Sequence, residues 1–274
     1  MRLEKAKLVF RKDWREIRRN WQVILPIIIL PLMISVVFPV VLIVISSMVP
    51  ASEIQSIGFD ALIQNLPATV HEQLAGMTEI QVMIYIVALY LLAPFFLIIP
   101  LMTSSVIASD SFAGEKERKT IEALLATPIS DSELLFGKML VSFIPSMIVT
   151  IVSFVIYSTV FDLLSFSMFN GMLLLPNLDW ILLIFCLAPT VALASIGLTV
   201  IVSAKVKGFK EAQQISVILL LPILALVFGQ VAGAVIFGPL VIAVLTGLFV
   251  FIDLAVFRIG LKMFKREEIL AKLA

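Results

Sequence analysis

Ten charged side chains crowd into residues 110–138 of this 274-residue chain, between two long apolar runs. Glu115, Glu117, Arg118, Thr120 and Glu122, followed by the apolar pair Leu124 and Leu125, can make ion pairs, hydrogen bonds and apolar contacts with something in water. They are not equipped to make or break bonds. His71 is the one histidine, and His71-Glu72-Gln73-Leu74-Ala75 has no second histidine to complete a zinc-protease pair. The chain has no Gly-x-Ser-x-Gly turn for a nucleophilic serine. It also lacks a Gly-x-x-x-x-Gly-Lys-Ser/Thr phosphate loop, since Gly137-Lys138 is followed by Met139. With one histidine and one cysteine, Cys186, no catalytic residue, no metal site, no intrachain disulfide and no bound cofactor is expected.

The other polar groups of note sit inside apolar runs. Ser142, Ser146, Thr150, Ser153 and Tyr157 recur every three or four residues and form one stripe, and Ser195, Thr199 and Ser203 do the same further on. Small hydroxyl residues on membrane helices serve helix packing, or they line a mildly polar path for an amphipathic cargo. Asp253 lies about one turn before Arg258 and reads as a charge-paired residue at a helix end, while Asp162 falls near the far end of its run.

The elements that position these residues follow from composition. Hydrophobic residues make up 61% of the chain and charged ones 14%, well under the quarter expected of a soluble domain. Runs long enough to cross a bilayer fall at Val23–Val49, Val82–Ser109, Met139–Leu164, Ile181–Ser203, Ile215–Val231 and Phe237–Phe257. The Gly-rich stretch between the last two reads as a tight hairpin or a re-entrant helix. Threading six spans gathers every Lys and Arg on one side, and residues 50–80, 165–180 and 229–238 have none. Basic flanks stay cytoplasmic, so a multi-pass protein of the cell membrane with both termini inside is expected. The basic residues are membrane flanks, which leaves no case for nucleic acid. The first apolar run is too long for a signal-peptide core and reads as a retained anchor. The whole chain, 1–274, reads as one domain, with a basic arm over 1–22, an outer loop over 50–81 holding one or two short helices, the charged segment 110–138 and a tail from 258.

Two of these parts have local structure written into them. In the basic arm, Leu3, Phe10, Trp14, Ile17 and Trp21 share one helical face, with Arg11, Lys12, Arg15, Arg18 and Arg19 around the remainder. This predicts a helix lying in the membrane interface, its cations towards anionic lipid and a cytoplasmic partner. In the charged segment, Ile121, Leu124 and Leu125 predict an amphipathic helix over Glu115–Ala126 that Pro128 stops. Ser130-Asp-Ser-Glu133 then has the form of a capping box, with Ile129 and Leu134 as its hydrophobic staple, and predicts a new helix from about Asp131. Helix, proline break and capped helix make a stiff elbow able to pass force between the second and third spans.

Glu115-Lys-Glu117-Arg-Lys-Thr120-Ile-Glu122-Ala-Leu-Leu125-Ala-Thr-Pro128-Ile-Ser130, followed by Glu133-Leu-Leu-Phe-Gly137-Lys138, resembles the signature of type-2 ABC (ATP-binding cassette) exporter permeases. In that family a Glu-x-Glu segment, a Thr, a Leu-Leu pair and a Pro precede a Gly-Lys at the next span. Gly usually stands immediately before the Thr, where this chain has Lys119. The resemblance implies an all-α polytopic membrane protein of six transmembrane helices, with an amphipathic N-terminal interfacial helix and a cytoplasmic coupling helix between spans two and three. It further implies that Glu115, Glu117, Arg118, Thr120, Glu122, Leu124 and Leu125 touch a separate ATPase subunit. Two such ATPase copies would hold the ATP and magnesium, and a second permease copy or close relative would complete the exporter. From the residues alone, a secondary transporter or channel without an ATPase, or a membrane scaffold, stays open.

Overall fold

The computed structural model describes residues 3–48, 63, 68–120, 129–206 and 208–263. Among them every regular element is helical. Six helices are long and apolar enough to span a bilayer: Trp21–Met48, Glu79–Glu117, Ser132–Ser165, Leu178–Ser203, Phe209–Val231 and Pro239–Ile259, here spans one to six. Each of the six apolar runs of the sequence falls on one of them. The interval between spans five and six is a hairpin and not a re-entrant helix. Gly233, at φ +70°, turns the chain, and the Ala234 N–H closes back on the Gly229 carbonyl at 2.8 Å. Of the outer loop, a short helix Ala68–Leu74 is described, and Thr78 with Gln81 forms the capping box that opens span two.

Span two is the axis of the bundle. It packs against spans one, three, four and five, and 78% of its apolar window is buried, against 6% for span six. Span six leans on span four and leaves Leu240, Val244, Phe251 and Leu254 exposed, a face that requires lipid or another subunit beside it. On the side away from the basic loops, Phe96, Phe154, Tyr157, Phe161 and Trp180 fill the core, with Phe96 and Trp180 edge to face at 5.1 Å.

Prolines shape the spans through the N–H they lack. Spans one, two and four each contain a π-helical turn, at Met33–Val37, Val87–Leu91 and Leu183–Leu187. Each ends two or three residues before a proline, namely Pro39, Pro94 and Pro189, because a proline cannot serve the carbonyl one turn back and the ladder widens ahead of it. In span two the loosened carbonyls are taken up by other spans. Tyr157 Oη donates to the Ala88 carbonyl at 2.8 Å, Trp180 Nε1 to Leu89 at 3.0 Å and Gln230 Nε2 to Tyr90 at 3.1 Å. Spans three, four and five are thereby pinned to one break in the central helix.

Candidate functional site

The N-terminal helix Leu3–Ile17 buries the line Ala6, Val9, Asp13 and Ile17, one residue per turn. It lies along the first turns of span three. Gly137 permits this approach: a Cβ there would stand 2.8 Å from the Ala6 carbonyl oxygen and 2.9 Å from Val9 Cβ. The glycine of the Gly-Lys pair is thus where two helices touch, and the lysine beside it fills the seam.

The predicted face of the arm is corrected in two respects. Trp21 does not continue it: the chain turns at Asn20, whose side-chain oxygen accepts from the Gln22 N–H and starts span one, leaving Trp21 71% exposed. The inner line also contains an acid, so the helix is held by protein through Asp13 and not by the interface alone. Its outward face does carry the arginines, with the Arg18 guanidinium 6.0 Å over the Trp14 ring.

Lys138 is fully buried, and its ammonium is the centre of the site. Its Nζ lies 2.6 Å from Glu115 Oε2 and 3.3 Å from Asp13 Oδ2, and it donates to the Ser111 carbonyl at 2.5 Å. The Ser111 hydroxyl donates to Asp13 Oδ2 at 2.6 Å. Lys12 closes the group, pairing with Glu115 Oε1 and lying 3.3 Å from Asp13 Oδ1. Two acids and two ammonium groups balance, as buried ions must. Span two has a second π turn here, Asp110–Gly114, with no proline just after it, and the Lys138 ammonium sits on its Ser111 carbonyl. Burial alone would push the Asp13 carboxyl up, but Lys138, Lys12 and the Ser111 hydroxyl outweigh it and hold Asp13 below the ordinary carboxylate range. Burial likewise opposes charge on Lys12, and Asp13, Glu115 and Glu16 reverse the balance and raise it. Among the described residues Asp13, Glu16 and Glu115 are the one set of acids close enough to share a metal, and Lys12 and Lys138 already occupy that role.

A second layer surrounds this core. Arg118 pairs with Asp110 at 3.0 Å, and Asp110 also accepts from Asn20 Nδ2 at 3.1 Å. Burial disfavours the Arg118 charge, but its hydrogen bond to Asp110 and the nearby acids more than compensate and raise it. Glu117 reaches the start of span five, where its Oε2 accepts from the Phe209 N–H at 2.9 Å, a carboxylate on a helix N-terminus. Gly208 makes room, since a Cβ there would fall 2.6 Å from that oxygen. Lys116 donates to the Val206 carbonyl at 2.9 Å. The N-terminal helix, the root of the charged segment and the link between spans four and five therefore meet at one end of the bundle, as the charge threading requires.

The predicted helix Glu115–Ala126 is not continuous. The helix stops at Glu117, because Lys119 takes the left-handed conformation, φ +57°. The Lys119 N–H bonds the Lys116 carbonyl at 3.2 Å and the Thr120 N–H bonds Glu115 at 3.0 Å, the paired bonds of a Schellman helix end. Lys119 stands where the related signature has glycine, the residue that adopts this backbone without steric cost. Glu117, Arg118, Lys119 and Thr120 are exposed, whereas Glu115 is enclosed and its carboxylate meets Lys12 and Lys138. Glu122, Leu124 and Leu125, with the break at Pro128, lie outside the described residues. The capping box is as read: Ser130 accepts from the Glu133 N–H, Glu133 accepts from the Ser130 N–H, and a 35-residue helix follows from Asp131.

The hydroxyl stripe of span three is buried. Ser142, Ser146, Thr150 and Ser153 each donate to a carbonyl three or four residues back in their own helix, and Tyr157 reaches span two. In span four Ser195 donates to the Leu101 carbonyl at 2.9 Å, and Thr199 lies 3.0 Å from the Ser216 hydroxyl of span five. Tyr157, Ser195 and Thr199 thereby join neighbouring spans. Asp253 does not pair with Arg258, because five residues along a helix place the two about 140° apart around its axis.

Six apolar helices around a charged root with an exposed tip define a polytopic helical membrane protein whose non-membrane chemistry is concentrated at one end. The sequence model of the ABC-2 family transporter proteins matches residues 8–253. The chain belongs to that family, which is a membrane component of transport and not itself catalytic. No curated protein and no solved structure matches it.

Proposed function

We propose that this chain is the membrane-spanning permease of an ATP-driven exporter, with a separate ATPase subunit docking on residues 111–138. What supports the reading is the division of that segment into an enclosed root and an exposed tip. Glu115 and Lys138 tie the root to the N-terminal helix and span three, and Glu117 ties it to span five. A push on the exposed tip, Glu117 to Thr120, reaches three elements through ion pairs and helix contacts. The basic end faces the cytoplasm on this reading. Two permeases and two ATPases make the assembly. Cargo crosses between the permeases, because the interior of one copy is filled by aromatic side chains and the exposed faces of spans one, five and six need a cover.

Affinity purification of the chain from its native membrane, with mass spectrometry and an ATPase assay, tests this. A stoichiometric nucleotide-binding subunit with vanadate-sensitive hydrolysis is expected. A lone, ATP-inert oligomer overturns it and leaves the secondary-transporter or scaffold reading.

A further inference from the structure

Spans three, four and six line an open-sided cavity of about 510 Å³ near the basic end of the bundle. Leu140 and Phe143, Leu193, and Leu254 form its apolar walls, one set from each span. Spans four and six close one side where Gly197 meets Val256, so tightly that a Cβ on the glycine would lie 2.4 Å from a valine methyl. The lining carries two polar side chains. Thr190 spends its hydroxyl on the Leu187 carbonyl at 2.8 Å. Asp253 does not: its Oδ1 is shut off from solvent and has no hydrogen-bond partner. It lies within the helix Pro239–Met263 that carries span six. Among the described residues no lysine, arginine or histidine lines the cavity.

A carboxyl at membrane depth with no partner is costly unless a cation or a proton joins it. Among the described residues no cation lies here, and the walls accept only hydrocarbon. From this complementarity we propose that the cavity binds a lipophilic amine, one ammonium head on Asp253 and a single apolar body between spans three, four and six. The volume suits one such molecule. A phospholipid fits poorly, because its phosphate would stand beside Asp253 with no base to receive it. The site requires neither an ATPase nor flux, so it stands apart from the transport reading.

The test uses the full chain in phosphatidylcholine nanodiscs, with radiolabelled dodecylamine as probe and empty discs as the blank. Saturable binding of one molecule per chain is expected, with little competition from dodecanol, which has the same body without the charge. Asp253→Asn should weaken binding at least tenfold and Asp253→Glu by only a few-fold. Leu193→Trp should remove binding by filling the cavity while leaving Asp253 in place. Unchanged affinity in Asp253→Asn, or equal competition by dodecanol, overturns the proposal. Displacement of the amine by phosphatidylethanolamine added to the discs also overturns it, in favour of a lipid occupant. If Asp253→Asn does not fold, the dodecanol comparison on the unaltered protein and the Leu193→Trp variant decide alone.

Discussion

The ammonium of Lys138 lies 2.6 Å from Oε2 of Glu115, and both side chains are sealed from solvent by the N-terminal helix. The pair joins the end of span two to the start of span three, the two ends of the segment that carries the exposed tip. Removing one partner strands an uncompensated charge. Lys138→Met should therefore cost about 3–5 kcal/mol, and adding Glu115→Gln should restore part of the loss. Unfolding of the purified protein in detergent measures both. A double variant no more stable than Lys138→Met would show that the two groups are not coupled.

Asp13 makes the cluster sensitive to acid. Its carboxyl titrates lower in the folded chain than the ordinary value of about 3.9, so its contribution is fully present above that value and is lost as pH falls through the lower folded one. Lys12 is raised, so its contribution is full below about pH 10 and is lost only as pH climbs past its folded value. The cluster should thus be insensitive between about pH 5 and 9. The melting midpoint of the unaltered protein should drop below about pH 4, and Asp13→Asn should flatten that drop. An identical acid limb in the variant would contradict the assignment.

Much of this architecture can be read from the chain. The spans are legible because eighteen or more apolar residues in a row have few alternatives in water. The Ser130–Glu133 cap is legible because its partners are three residues apart. The cluster is not, because Asp13 and Lys138 are 125 residues apart and no local pattern links them. Two signs were present: an acid on the line Ala6, Val9, Ile17, and a Gly-Lys pair opening an apolar helix. The end of the loop helix is not legible either, because apolar spacing at Ile121, Leu124 and Leu125 says nothing about the backbone at Lys119, where φ is positive.

Lys119→Gly should remove that strain. The left-handed backbone costs a residue with a Cβ roughly 1 kcal/mol, partly offset by the extra freedom glycine has when unfolded. A gain of about 0.5 kcal/mol is expected, and Lys119→Val should destabilise. Comparison of melting midpoints decides it, with lower stability for the glycine variant as the contrary result.

Gln230 should matter only because Pro94 cannot donate. Gln230→Leu leaves the Tyr90 carbonyl unpaired, at a cost of about 1–3 kcal/mol. Pro94→Ala restores an N–H one turn on, so the double variant should recover much of the loss. Equal melting of Gln230→Leu and Gln230→Leu with Pro94→Ala would separate the two residues.

The central claim is that the exposed tip, and not the buried root, meets the ATPase. A photo-crosslinking amino acid placed at Lys119, and separately at Ser111, reports this directly in native membranes. The account predicts an adduct from position 119 with a nucleotide-binding subunit, identified by mass spectrometry, and none from position 111. Illumination at 119 that yields no such adduct, or equal adducts from both positions, would contradict it.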